Sequence, residues 1–230
     1  MKRIIILIIT MMLVVSACGR AENISGDNEK KDNENVAVEN NQQKNSENSS
    51  NMKNKNEVKI LIAYFSRPGE NYNVGRVDIG STELIAGHVK EYLGDKADVF
   101  KIDPVIPYPV GYEDTKTIST REKDNNERPA FKGDVDISQY DVILLGYPIW
   151  YGDYPMIINT FLEKYDFSGK TIIPFNTHEG SGNAGTFSRL KSKMTGATVN
   201  MDGFTIAGTA ARQTASAKEA TKNWLKGLGY

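Results

Sequence analysis

From residue 57 to the carboxyl terminus, short continuous apolar runs alternate with stretches in which apolar residues recur every three or four positions. The runs cover residues 58–65, 97–102, 142–146, 170–175 and 197–206. Continuous apolar runs of this kind suit strands buried on both faces. Helical spacing covers 82–92, where Leu84, Ile85, His88 or Val89, and Tyr92 share one side and Gly94 follows. Further helices are predicted over 111–126, 155–165, 185–193 and 216–226. Strands that alternate with helices predict an α/β domain of three layers, with a five-stranded parallel sheet covered on both faces.

The first quarter reads differently. Lys2 and Arg3 precede a short apolar run at 4–15 that ends Val15-Ser16-Ala17-Cys18. Residues 1–17 therefore read as a secretory signal, too short to span a bilayer comfortably. An aliphatic residue and two small ones before a cysteine resemble the bacterial lipobox, which makes Cys18 the expected lipidation site. Cys18 is the only cysteine, so an internal disulfide is excluded and a cysteine-based metal site is not expected. Residues 18–56 carry Asn, Glu, Lys, Ser and Gln with few apolar residues, the composition of a disordered tether. The expected organisation is a signal at 1–17, a lipidated tether at 18–56, and one folded domain at 57–230 outside the cytoplasmic membrane. A formal net charge of −1 argues against nucleic acid as a partner.

Three loops following the predicted strands carry candidate chemistry. After the first strand come Ser66, Arg67, Pro68 and Gly69, and the next helix opens on Gly80, Ser81 and Thr82. Thr82 or Ser81 can cap that helix, whose free amides and hydroxyls suit an anion such as phosphate. Arg67 can pair with that anion or face solvent. The loop is neither a Walker loop nor a Rossmann fingerprint. After the third strand, Tyr147, Pro148, Ile149, Trp150, Tyr151 and Gly152 place two aromatics beside a glycine. These aromatics either cap the core or offer a platform to a flat ligand. After the fourth strand, Thr177, His178, Glu179, Gly180, Ser181 and Gly182 form a small polar loop. His178 is either a proton donor to a ligand or a loop residue bonded to nearby backbone. In a doubly wound sheet of order 2-1-3-4-5 these three strands are neighbours, so their loops share one edge, where such sheets bind ligands.

The segments Ala63-Tyr64-Phe65-Ser66-Arg67-Pro68-Gly69-Glu70-Asn71-Tyr72, Gly80-Ser81-Thr82, Gly146-Tyr147-Pro148-Ile149-Trp150-Tyr151-Gly152 and Thr177-His178-Glu179-Gly180-Ser181-Gly182 resemble flavodoxins, in the branch with an extended phosphate loop. The resemblance covers residues 59–230 and implies the flavodoxin-like fold with FMN as cofactor. By position it implies that Ser66, Arg67, Ser81 and Thr82 hold the FMN phosphate, and that residues 148–152 line the isoalloxazine with Trp150 or Tyr151 against the ring. Residues 177–182 would border its other side. The chain departs from compact flavodoxins in the longer stretch between Ser66 and Gly80, in Ser81 where Asn is usual, and in lacking an aromatic at 177–182.

The implied function is electron transfer by bound FMN in a lipid-anchored protein, to a redox partner protein or a quinone-like acceptor. An FMN-dependent oxidoreductase using NAD(P)H or quinones is the alternative. A lipoprotein that binds without flavin is a third reading, which fold alone does not exclude. Asp153 and Glu179 stand close to the ring loops in sequence, with few cations beside them, so negative charge is expected to lower the flavin potential. Thr195-Gly196-Ala197-Thr198 partly matches the motif at which exported flavoproteins take covalent FMN, and it also reads as a turn into the fifth strand.

Overall fold

The computed structural model describes residues 58–230; the expected signal, Cys18 and the expected tether lie outside the described residues. Strand parity fixes the architecture. In β1 (Ile60–Tyr64), Leu61 and Ala63 join one apolar cluster while Ile60, Ile62 and Tyr64 join the other. A short hairpin of β2 (Gly69–Asn71) and β3 (Gly75–Val77) follows, antiparallel and separate from the main sheet. Then come α1 (Ser81–Leu93), β4 (Ala97–Lys101), α2 (Tyr112–Asp124) and β5 (Val142–Pro148). The chain continues through α3 (Met156–Lys164), β6 (Thr171–His178), α4 (Thr186–Lys193), β7 (Thr198–Val199) and β8 (Phe204–Ala207). It closes with α5 (Gly208–Ala211) and α6 (Thr214–Gly227).

The sheet runs β4-β1-β5-β6-β7, all parallel, with β8 also paired to β6. This is the expected 2-1-3-4-5 order, except that the predicted fifth strand is two pieces. The break has a physical cause in β6. β7 pairs with Thr171 and Ile172, β8 pairs from Phe175 onward, and between them Pro174 has no N–H to donate. The intervening chain turns on itself, with the Asp202 amide bonded to the Asn200 side chain at 2.8 Å. The Asp202 carbonyl then accepts the Trp224 indole N–H at 2.8 Å.

One sheet face packs on α3 and α4 through Ile157, Ile158, Phe161, Phe187 and Leu190; the other packs on α1 and α6 through Ile85, Val89, Leu93, Ala217 and Leu225. The buried stripe of α1 is Thr82, Ile85, Ala86, Val89 and Leu93, so Leu84 is displaced from the core. Outside the core, Glu163 on α3 ties two segments together. It accepts from Arg128 Nε and from Lys193 Nζ on α4, each at 2.6 Å. These hydrogen bonds hold its carboxyl at about 2, well below the ordinary 4.5.

A carboxyl whose folded pKa is depressed stabilises the fold above its unfolded value and loses that contribution as pH falls through the folded one. The stability difference between wild type and Glu163→Gln is therefore expected to be full above pH 4.5 and gone by about 2. Solvent screening of this half-exposed cluster keeps the difference to about 1 kcal/mol. Thermal denaturation across that range measures it.

Candidate functional site

A parallel sheet delivers the carboxyl ends of β1, β5 and β6 to one edge, and a cavity of about 250 Å³ lies there. Every predicted site residue lines it except Gly180 and Gly182.

At one end, the first turn of α1 faces the cavity. Its N-cap is Gly80, which offers no side chain, rather than Thr82 or Ser81. The capping oxygen comes from Ser66, whose hydroxyl accepts the Glu83 amide at 3.1 Å. A Cβ on Gly80 would sit 2.3 Å from that hydroxyl and 2.5 Å from the Arg67 carbonyl, so only glycine lets strand loop and helix meet. The amides of Ser81 and Thr82, which have no intrahelical acceptor, are left at the cavity. Thr82 and Thr177 share a buried hydroxyl–hydroxyl bond of 2.7 Å, and the Ser81 hydroxyl donates to the Gly208 carbonyl at 3.3 Å. Four hydroxyls from three segments thus converge on one helix end.

Arg67 neither faces solvent nor points a donor at this cluster. Its side chain is buried, and Nε donates to the Thr115 hydroxyl at 3.2 Å. Nη1 donates to the carbonyls of Pro68 and Glu70 at 2.8 and 3.0 Å, and Nη2 to Glu70, Val110 and Gly111 at 2.7, 3.3 and 3.4 Å. All five N–H groups are committed. Arg67 therefore staples the β2–β3 hairpin to the segment before α2, and its charge acts on the cavity only as a field.

At the other end stands Trp150. Its indole meets Phe65 edge-on at 5.4 Å and Tyr108 at 5.1 Å, so it is braced by the core while still lining the cavity. The two readings of this residue are compatible. Tyr108 in turn donates to Glu122 at 2.9 Å, and burial pushes both groups up. Beyond Trp150 the chain reverses, with reciprocal backbone bonds between Trp150 and Asp153 of 2.7 and 2.9 Å. The central residues Tyr151 and Gly152 have φ of +50° and +70°, as a tight primed turn requires. Tyr151 is 46% exposed.

His178 is a loop residue bonded to local backbone: its Nδ1 accepts the Gly180 amide at 3.0 Å, and burial lowers its pKa. Glu179 sits half-buried in the wall; burial raises its pKa against bonds from the Gly208 and Thr209 amides. The expectation of an acidic ring site needs correction. Asp153 is paired with Arg189 at 3.1 Å, Lys123 donates to the Tyr151 carbonyl at 2.8 Å, and Lys116 lines the cavity. These cations come from α2 and α4, remote in sequence from the loop they neutralise. Thr198 is misplaced for covalent attachment. It pairs with Thr171 at the start of β6, seven residues from His178 at the cavity end, or about 23 Å along the strand.

The hairpin and α2 complete the walls. Tyr72 and Tyr112 have ring centroids 5.9 Å apart, and both line the cavity with Val74 and Ser119. For Tyr72 and Val74 the sequence signal was the long stretch between Ser66 and Gly80, which reads as insertion rather than as site; Tyr112 and Ser119, on a polar helix, carried none.

Fold and site together define an α/β protein of the flavodoxin type. The sequence profile described as Flavodoxin matches residues 59–227, and the chain belongs to that family. Among solved structures it is similar to two proteins provisionally named flavoproteins. One, from Bacteroides eggerthii, has 29% identity and a TM-score of 0.58, over 75% of this chain and 98% of that one. The other, from Bacteroides uniformis, has 30% identity and a TM-score of 0.59, over 74% and 98%. A Lactobacillus acidophilus flavoprotein solved in complex with FMN shares the fold at 21% identity and TM-score 0.51, over 68% and 97%. No curated protein matches the chain.

Arg67→Met is expected to lower stability in urea by about 2–4 kcal/mol, because it strips several part-buried carbonyls of a charged donor. Limited proteolysis should then cut within residues 69–77. Wild-type stability and an uncut hairpin would contradict the staple.

Proposed function

We propose that this chain binds FMN and transfers electrons while tethered by lipid on Cys18 at the outer face of the cytoplasmic membrane. The observation that carries the reading is the polarity of the cavity: amides and hydroxyls of Ser66, Ser81, Thr82 and Thr177 at one end, Trp150 at the other. A phosphorylated planar ligand matches both ends, since a helix amino end favours the phosphate and an indole face the ring. Membership of the flavodoxin family and the FMN complex of the Lactobacillus relative support the same ligand.

Bound FMN would supply the redox chemistry. The chain's own residues orient and screen it. First-turn amides of α1 would hold the phosphate, Trp150 is held rigid by Phe65 and Tyr108, and His178, its pKa lowered by burial, would add no charge beside the ring at neutral pH. The exposure of Tyr151 leaves an outlet to a redox partner protein or a quinone-like acceptor. Direct reduction of such acceptors as an FMN-dependent oxidoreductase is favoured by one observation: Tyr72, 57% exposed at the rim, adds aromatic surface where residues 177–182 supply none.

Titration of the purified protein with FMN and with riboflavin tests the ligand. FMN is expected to bind more tightly, and Ser66→Ala with Thr82→Val should shrink that preference, by about tenfold or more for lost charge-assisted bonds. Ring absorbance that elutes apart from the protein would defeat the flavin readings and leave the flavin-free one. Bleaching by NADPH without a donor protein would select the oxidoreductase. Replacement Cys18→Ala is expected to move the protein from the membrane to the soluble fraction of cells; unchanged fractionation would defeat the anchor.

A further inference from the structure

Arg189, on α4, touches two loops at once. Its Nη2 donates to the Gly152 carbonyl at 2.6 Å and to the Ala184 carbonyl at 2.8 Å, and its Nε meets Asp153 at 3.1 Å. Each loop contains a residue poorly suited to its backbone: Tyr151 at φ +50° and Ala184 at φ +49°. The other described non-glycine residues at positive φ are Asn73 and Asn126, a type that tolerates it. Strain of this kind persists only where surroundings over-determine the conformation. Here the carbonyl of Ala184 and the one following Tyr151 are both gripped by the same guanidinium. Lys123, from α2, grips the first loop alone, at the Tyr151 carbonyl.

We propose that Arg189 is a positioning residue that sets the two loops flanking the ring end of the cavity against each other. Its planar fork can hold a carboxylate and two carbonyls together, which a lysine cannot. Its charge also offsets Asp153, next to the loop that would line the ring. That second effect rests on the FMN reading; the clasp itself does not.

Backbone amide exchange on the full, ligand-free chain tests the clasp. In Arg189→Met, exchange in residues 150–153 and 180–185 is expected to rise together, by about tenfold for the loss of a charged hydrogen bond. β5 and β6 should remain unchanged. Lys123→Met should loosen residues 150–153 alone. Arg189→Lys should loosen both loops, yet keep the wild-type midpoint potential of bound FMN, while Arg189→Met lowers it. Faster exchange in one loop only, general loosening that includes β5 and β6, or full protection in Arg189→Lys would each overturn the proposal. If wild type fails to take up FMN, the flavin reading falls while the exchange result still decides the clasp.

Discussion

The cavity depends on one constraint: β1 and β5 are apolar on both faces and therefore lie side by side in the middle of a parallel sheet. Burial of Ile62, Ala63, Leu144 and Leu145 to 0% exposure leaves these strands no other place. Parallel strands end at the same edge, so loops distant in sequence meet there without any attraction between the loops themselves. The hydroxyls of Ser66 and Thr177 reach the same helix turn because the sheet brings them to it.

This constraint explains what could be read in advance. Apolar runs located every central strand, and loops rich in glycine, serine and aromatics marked the cavity edge. Trp150 was legible because an indole after a buried strand has few uses. Arg67 was less so. A sequence shows that a cation follows Ser66, but whether its donors face a ligand or a ring of carbonyls depends on where Val110 and Gly111 pass, which only the folded chain reveals. The cations around residues 151–153 were hidden for the same reason, since Lys123 and Arg189 sit on helices whose faces are set by tertiary packing. The split of strand five was not legible, because the missing donor of Pro174 matters only once its neighbour strand is known.

The walls of the cavity also differ in how firmly they are held. The Ser66, Thr82 and Thr177 end is buried, with Thr82 bonded to Thr177 side chain to side chain and Ser66 to the Glu83 amide. The opposite end relies on a rigid base, Trp150 braced by Phe65 and Tyr108, carrying a turn fixed mainly through its carbonyls. A site with a buried anchor at one pole and solvent-facing loops at the other can fix a ligand's position while its exposed end stays accessible.

Ser66 caps a helix to which it does not belong, at a point where Gly80 permits the approach. The amino end of α1 is thus unfinished until β1 has docked beside β5. Its cap is a product of the folded domain, missing from a helix that forms early and alone. Any anion held there binds the native ensemble and leaves the unfolded one behind, so occupancy stabilises the entire domain by mass action. For a chain that folds around such a site, the ligand would serve as the last contribution to folding as well as the working part.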